Sequence, residues 1–268
     1  DPDPKPATLP LRVLHFLRNR RRDTLRAQPF PPAWRAIMDR DVAYAAQLTP
    51  EERHELEGLV QIFLDEKHFE GCGGLELTDE IRVTIAAEAC RLLLHRDTDI
   101  YPQLVSVLVY PGAYKATRRS LEGRVVIERE DARLGESRTR DAVVLTWDHV
   151  LQSARHVGGD NVVLHELAHQ LDAEDGAMDG APSLGDRARY ASWARVLGEE
   201  FAELSERVHA GRPSDIDPYG ATNPAEFFAV ITEMFFERGA QLKRRHPALY
   251  AELAAFYHQD PAARHAPT

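Results

Sequence analysis

The sequence predicts an α+β fold, mostly helical, with one small sheet, and three observations predict it. Capped runs with helical apolar spacing dominate the chain, β-rich runs are few and short, and one apolar helix carries His165-Glu166-Leu167-Ala168-His169 in its middle.

Seven of the 17 prolines fall in the first 33 residues, so residues 1–33 are expected to form a loosely ordered lead-in. Within it, Leu11, Val13, Leu14, Phe16 and Leu17 precede Arg18, Arg20, Arg21 and Arg22. This pattern has two readings: a basic amphipathic helix that touches a membrane or a partner, or a tail lying on its own domain. Residues 34–268 are expected to form one domain with a helical N-terminal portion. Thr49-Pro50-Glu51-Glu52 is a capping box with proline at the first helical position, opening a helix to about Lys67. Thr78-Asp79-Glu80-Ile81 opens a second, to about His95. Leu104–Val109, Gly123–Glu128 and Val143–Trp147 are the strand candidates, and Pro111-Gly112-Ala113-Tyr114 is a loop placed to border a cleft. A Gly- and Asp-rich loop over 175–185 precedes a helix from about Asp186 to Ala210, and the last helices lie near Ala225–Arg238 and Pro247–His258.

Composition narrows the function. A hydrophobic content of 43% over 268 residues supports a substantial core, and no apolar run is long enough to span a membrane. The stretch from Leu9 to Leu17 is broken by Pro10, Arg12 and His15, so it does not read as a secretory signal. Cys72 and Cys90 suggest neither a disulfide framework nor a metal knot, and a cytoplasmic setting is expected. The formal charge of −10 argues against direct nucleic-acid binding by the body of the protein.

The central motif gains weight from its context. Asp160 and Asn161 are good N-cap types, and Val162, Val163, Leu164, Leu167, Ala168 and Leu171 follow without glycine or proline, so a helix over 161–173 is predicted. His165 and His169 then share one face of a buried helix with Glu166 beside them, the arrangement that holds a zinc ion and a base together. Two exposed or core histidines with a solvated glutamate are the competing reading.

A zinc centre of this kind takes three protein ligands. One known spacing for the third would need glycine and histidine where this chain has Asp172 and Asp175, and Arg189 stands where a nearby glutamate would fall. Glu199 and Glu200 lie on a charged helix with Glu203 and Glu206, which reads as a solvated face. Glu226 is the better candidate: Asn223 and Pro224 begin a helix, and a carboxylate among Phe227, Phe228, Val230 and Ile231 calls for a counter-charge. Stabilisation of the helix N-terminus is its alternative role, and Glu233, seven residues on and on nearly the same face, is the alternative ligand. Asp172, on the face of His169, is either an acceptor that fixes a histidine tautomer or an acid with no such duty. His149 and His156 read as surface residues.

The block His165 to Asp172, with Asp179-Gly180-Ala181-Pro182, Tyr219-Gly220 and Asn223-Pro224-Ala225-Glu226-Phe227-Phe228-Ala229, resembles the Mlc titration factor A family of bacterial zinc peptidases. The later block is also similar to the catalytic segment of anthrax lethal factor. Together the motifs cover about Val143 to Phe236. The resemblance implies a zincin-type, gluzincin-like catalytic domain in which His165, His169 and Glu226 are the Zn2+ ligands, Glu166 is the general base and Tyr219 stabilises the transition state. Val230 departs from the lethal-factor pattern, which has a second acid there, so that acid's role is not carried over.

The chemistry expected of these residues is peptide hydrolysis by a metal-activated water with Glu166 as proton acceptor, and with the Tyr219 phenol as a donor to the oxyanion. An ordinary turn aromatic is the alternative for Tyr219, since Asp217-Pro218-Tyr219-Gly220 reads as a turn. The run Ala142 to Trp147 is either a sheet edge along which a peptide substrate adds as a strand, or a buried core strand. A second class of function stays open: a binding protein that sequesters a transcriptional repressor of sugar uptake, Mlc, as the resemblance implies.

Overall fold

The computed structural model describes residues 11–112 and 141–264. The expected strand at Gly123–Glu128 and the Ala113-Tyr114 half of the cleft loop lie outside the described residues.

Within the expected lead-in, Leu11–Ala27 forms helix α1, and α2 (Pro32–Asp41) begins with prolines that suit a first turn. The charged side of α1 meets α3 (Pro50–Glu66) and the turn at Asp99. Arg22 is buried and binds Glu66 through two nitrogens at 2.5 and 2.6 Å, Arg21 meets Asp65 at 2.6 Å and Arg18 meets Asp99 at 2.7 Å. These arginines therefore pair with the protein's own acids, Arg22 in the interior and Arg21 at the surface. Gly58 allows the approach, since a Cβ there would sit 3.2 Å from Arg26 Cγ.

Helix α3 begins as its sequence dictates. The Glu52 amide donates to Thr49 Oγ1 at 3.2 Å, and the Thr49 amide donates to Glu52 Oε2 at 2.9 Å, satisfying two otherwise orphaned donors. The four-residue strand β1 (His68–Gly71) follows, too short for its alternation to register in the sequence. Thr78 caps α4 (Asp79–Arg91), which stops four residues before the expected His95. The chain there passes into turns, and His95 itself takes a positive φ of 63°.

Strands β2 (Ser106–Tyr110) and β3 (Ala142–Thr146) complete a parallel sheet in the order β1-β2-β3, with His68 opposite Ser106 and Ser106 opposite Ala142. Parallel pairing needs crossover connections, and α4 lies in the one between β1 and β2. Among the described residues β3 pairs with β2 alone. Among these residues it lies at the sheet's edge, and it also buries Val143 and Leu145, combining features of both expected readings. Trp147, expected at the strand's end, instead opens α5 (Trp147–Ala154).

The remaining helices are α6 (Val162–Asp172), α7 (Arg187–His209), α8 (Pro224–Glu237), α9 (Gly239–Arg245), α10 (Pro247–Tyr257) and α11 (Pro261–Arg264). Helix α8 is the centre of the core: every residue from Phe227 to Glu237 is buried, and Phe228 meets Trp193 of α7 and Phe256 of α10 edge to face. Helix α6 packs on α8 on one side and contacts α4 and β3 on others. The fold is thus mostly helical α+β, with the motif helix wedged against the molecule's most buried helix. No helix among the described residues is long and apolar enough to cross a membrane.

Candidate metal centre

Two capped helices meet to form the site. Asn161 Oδ1 accepts the Leu164 amide at 3.2 Å and starts α6, while Asn223 Oδ1 accepts the Glu226 amide at 3.0 Å and starts α8. The first cap sets the rotation of His165 and His169, and the second places Glu226 in the first turn of the facing helix. The two imidazoles lie with centroids 5.0 Å apart and nearly perpendicular.

Glu226 Oε2 stands 3.1 Å from His165 Nε2 and 3.4 Å from His169 Nε2. The three ligand atoms lie within 4.8 Å of one another, the one such cluster of histidine, cysteine and acid side chains among the described residues. Two imidazole nitrogens and a carboxylate oxygen converging on a largely buried point are a donor set that suits a divalent cation of zinc's type.

The electrostatics follow from burial. Burial pushes the His165 imidazolium toward losing its proton, but hydrogen bonds to Glu226 and Glu233 outweigh this and raise its pKa to about 9. Burial likewise pushes Glu226 up, yet its bonds to His165 and His169 hold it well below the usual carboxylate range. Glu166 is shifted upward by burial, with both histidines pulling the other way. A carboxylate raised in this sense is better suited to accept and return a proton near neutral pH.

Tyr219 lies in the short 3-10 turn Pro218–Ala221, whose Asp217 cap accepts the Tyr219 amide at 2.7 Å. Its ring is 6.0 Å from that of His165, tilted by 45°. The turn sits close because residue 220 is glycine, whose added Cβ would lie 3.3 Å from Leu204 and 3.5 Å from Val230. Val230 is buried in that contact, which accounts physically for an apolar residue where lethal factor has an acid.

Other expected residues stand apart. Asp172 is fully buried, and its Oδ2 accepts the Gly180 amide at 2.9 Å rather than a proton from His169; neither Asp172 Oδ1 nor His169 Nδ1 has a hydrogen-bond partner among the described residues. Glu233 meets Nδ1 of His165 at 2.7 Å, on the side of the ring away from Glu226. His156 is exposed and His149 half-buried. The Asp172–Gly180 bond and the Glu233–Asn161 contact escape sequence reasoning. The only signal for Glu233 is its seven-residue spacing from Glu226, which shows a shared face but not which atom of His165 it meets.

A buried helix with two histidines one turn apart, a glutamate between them and a carboxylate from a second helix define a metallopeptidase-like protein. The chain belongs to the family described as glucose-regulated metallo-peptidase M90, whose model matches residues 16–258. It is 44% identical over 237 residues to an uncharacterized protein of Synechocystis sp., covering 87% of this chain and 86% of that one. It is 31% identical to Mlc titration factor A of Klebsiella pneumoniae over 222 residues, 82% of this chain and 83% of the relative. The match to Mlc titration factor A of Pectobacterium atrosepticum is also 31%, over 86% and 87% of the two chains.

Proposed function

We propose that this protein is a zinc-dependent peptidase in which His165, His169 and Glu226 hold the metal, Glu166 is the general base and Tyr219 is the oxyanion donor. The observation that carries this reading is the convergence of His165 Nε2, His169 Nε2 and Glu226 Oε2, with Glu166 on the same helix and the Tyr219 ring beside His165. When bound, zinc supplies positive charge that polarises a carbonyl and brings the pKa of a water down to about 7.

The chain's own residues do the rest. Glu166 takes the proton of the attacking water as the carbon–oxygen bond forms, and delivers it to the departing amine as the carbon–nitrogen bond breaks. Tyr219 donates its phenolic O–H to the oxygen that gains charge in the tetrahedral intermediate. An extended peptide would add along β3, which pairs on one side only among the described residues. The peptidase unit is assigned to residues 34–268. A cytoplasmic location suits two cysteines that are both free thiols.

Glu166→Gln tests the catalytic reading. Hydrolysis of a mixture of unstructured peptides should fall by about 100-fold or more, with metal content unchanged. Turnover equal to wild type would sink the assignment. The name of the relatives supports a second, compatible reading, binding to the repressor Mlc, with a non-catalytic sequestering protein as the limiting case. The Glu166→Gln variant separates the two, since repressor binding would survive the loss of hydrolysis.

A further inference from the structure

Glu233 is a buried acid that the proposed chemistry does not use, and both of its oxygens are engaged. Oε1 meets His165 Nδ1 at 2.7 Å and Oε2 accepts the backbone N–H of Asn161 at 2.8 Å. Asn161 is the cap of α6, so Glu233 grips that helix at its cap and again four residues on, at His165. Asn161 is held in turn, with its Nδ2 donating to Glu88 Oε2 at 2.9 Å. On α8, Glu226 and Glu233 are seven residues apart and bracket one imidazole, Glu226 at Nε2 and Glu233 at Nδ1.

We propose that Glu233 is the positioning residue of the centre, fixing His165 in the tautomer that presents a free Nε2 lone pair to the metal. A carboxylate accepts only, so Glu233 holds a ring proton on Nδ1, and the proton that Nε2 shares with Glu226 is the one a metal ion would displace, leaving the Nε2 lone pair for the metal. Nε2 is the atom that converges with His169 and Glu226. A full negative charge behind the ring also makes the ligand more basic. The support is one-sided: His169 Nδ1 is buried without a hydrogen-bond partner among the described residues. This inference rests on the ligand set proposed above.

The test is the zinc dissociation constant, measured by chelator competition on wild type, Glu233→Gln, Glu237→Gln and Glu226→Ala. A glutamine at 233 cannot accept from both donors at once, so zinc affinity should fall roughly 10–100-fold. Glu237 is equally buried on α8 and binds Arg91, the Gly158 amide and, at 3.4 Å, the Asn161 side chain, but no histidine. Glu237→Gln should therefore lose thermal stability while keeping wild-type zinc affinity. Wild-type affinity in Glu233→Gln, or an equal loss in both variants, would overturn the positioning role. Should Glu233→Gln fail to fold, 15N-histidine spectra of zinc-loaded wild type decide: a His165 Nδ1–H slow to exchange supports the proposal, and a fast one overturns it. If Glu226→Ala binds zinc like wild type, or wild type takes up none, the ligand set falls and the positioning role with it. Loss in Glu226→Ala with no effect in Glu233→Gln overturns the positioning role alone.

Discussion

Gly180 lies directly beneath Pro224, with its backbone in the left-handed region at φ +79°, and any Cβ at this position would overlap the Pro224 carbonyl oxygen. Its amide meets Asp172 at the end of α6, and its carbonyl accepts Trp193 Nε1 at 2.9 Å. One glycine thus joins the end of the histidine helix to the start of the Glu226 helix. Gly180→Ala is expected to destabilise the protein by about 2 kcal/mol from the backbone conformation alone, with more from the overlap. It should also weaken zinc binding by moving α8. Thermal melts beside zinc titrations check this, and a variant with wild-type melting and affinity would disprove the link.

Elemental analysis addresses the ligand set directly. Wild type should carry one zinc per chain through a mild chelation that strips Glu226→Ala, because removing the carboxylate leaves only two imidazoles as protein ligands. Equal retention in both would remove Glu226 from the ligand set.

Glu88 predicts a pH dependence away from the metal. Burial pushes it up to about 7 from 4.5, with Arg91 opposing and Glu237 reinforcing. The folded state then binds more protons than the unfolded one between these values, so this group's contribution to stability falls as pH rises from about 4.5 through about 7. Glu88→Gln keeps an acceptor for Asn161 but cannot ionise. Relative to wild type it should gain on the order of 3 kcal/mol between about pH 4 and pH 8. Denaturant midpoints across that range measure the gain, and a constant difference would refute it.

Arg22 predicts how firmly α1 is attached. Arg22 is 7% exposed and its guanidinium binds both Glu66 and Asp99, so Arg22→Ala leaves Glu66 without its arginine and Asp99 with Arg18 alone. A loss of roughly 3 kcal/mol is expected, with faster amide exchange confined to α1 and its contacts on α3. Unchanged exchange in α1 would mean that its apolar contacts hold it without the ion pairs.

Much of the architecture was legible because it is local. Thr49, Thr78, Asn161 and Asn223 announce the starts of four helices, since a cap is a bond between a side chain and an amide two or three residues away. The one-turn spacing of His165 and His169 is likewise a property of any α-helix, so the pair was visible in the sequence.

Tertiary structure decided what depends on how elements meet. Glu226 and Glu233 share a face of α8, and only the packing of α8 on α6 places one at His165 Nε2 and the other at Nδ1. Strand β1 and the parallel order of the sheet likewise arise from pairing with distant residues, His68 with Ser106 and Ser106 with Ala142. The pairing of Arg18, Arg21 and Arg22 depends on Asp65, Glu66 and Asp99 across the fold. Sequence by itself determined where the capped helices begin and which faces carry chemistry, because backbone periodicity and caps act over a few residues. The assignment of each acid to an atom was left to the contact between helices, whose relative rotation is set by the buried side chains of the whole core.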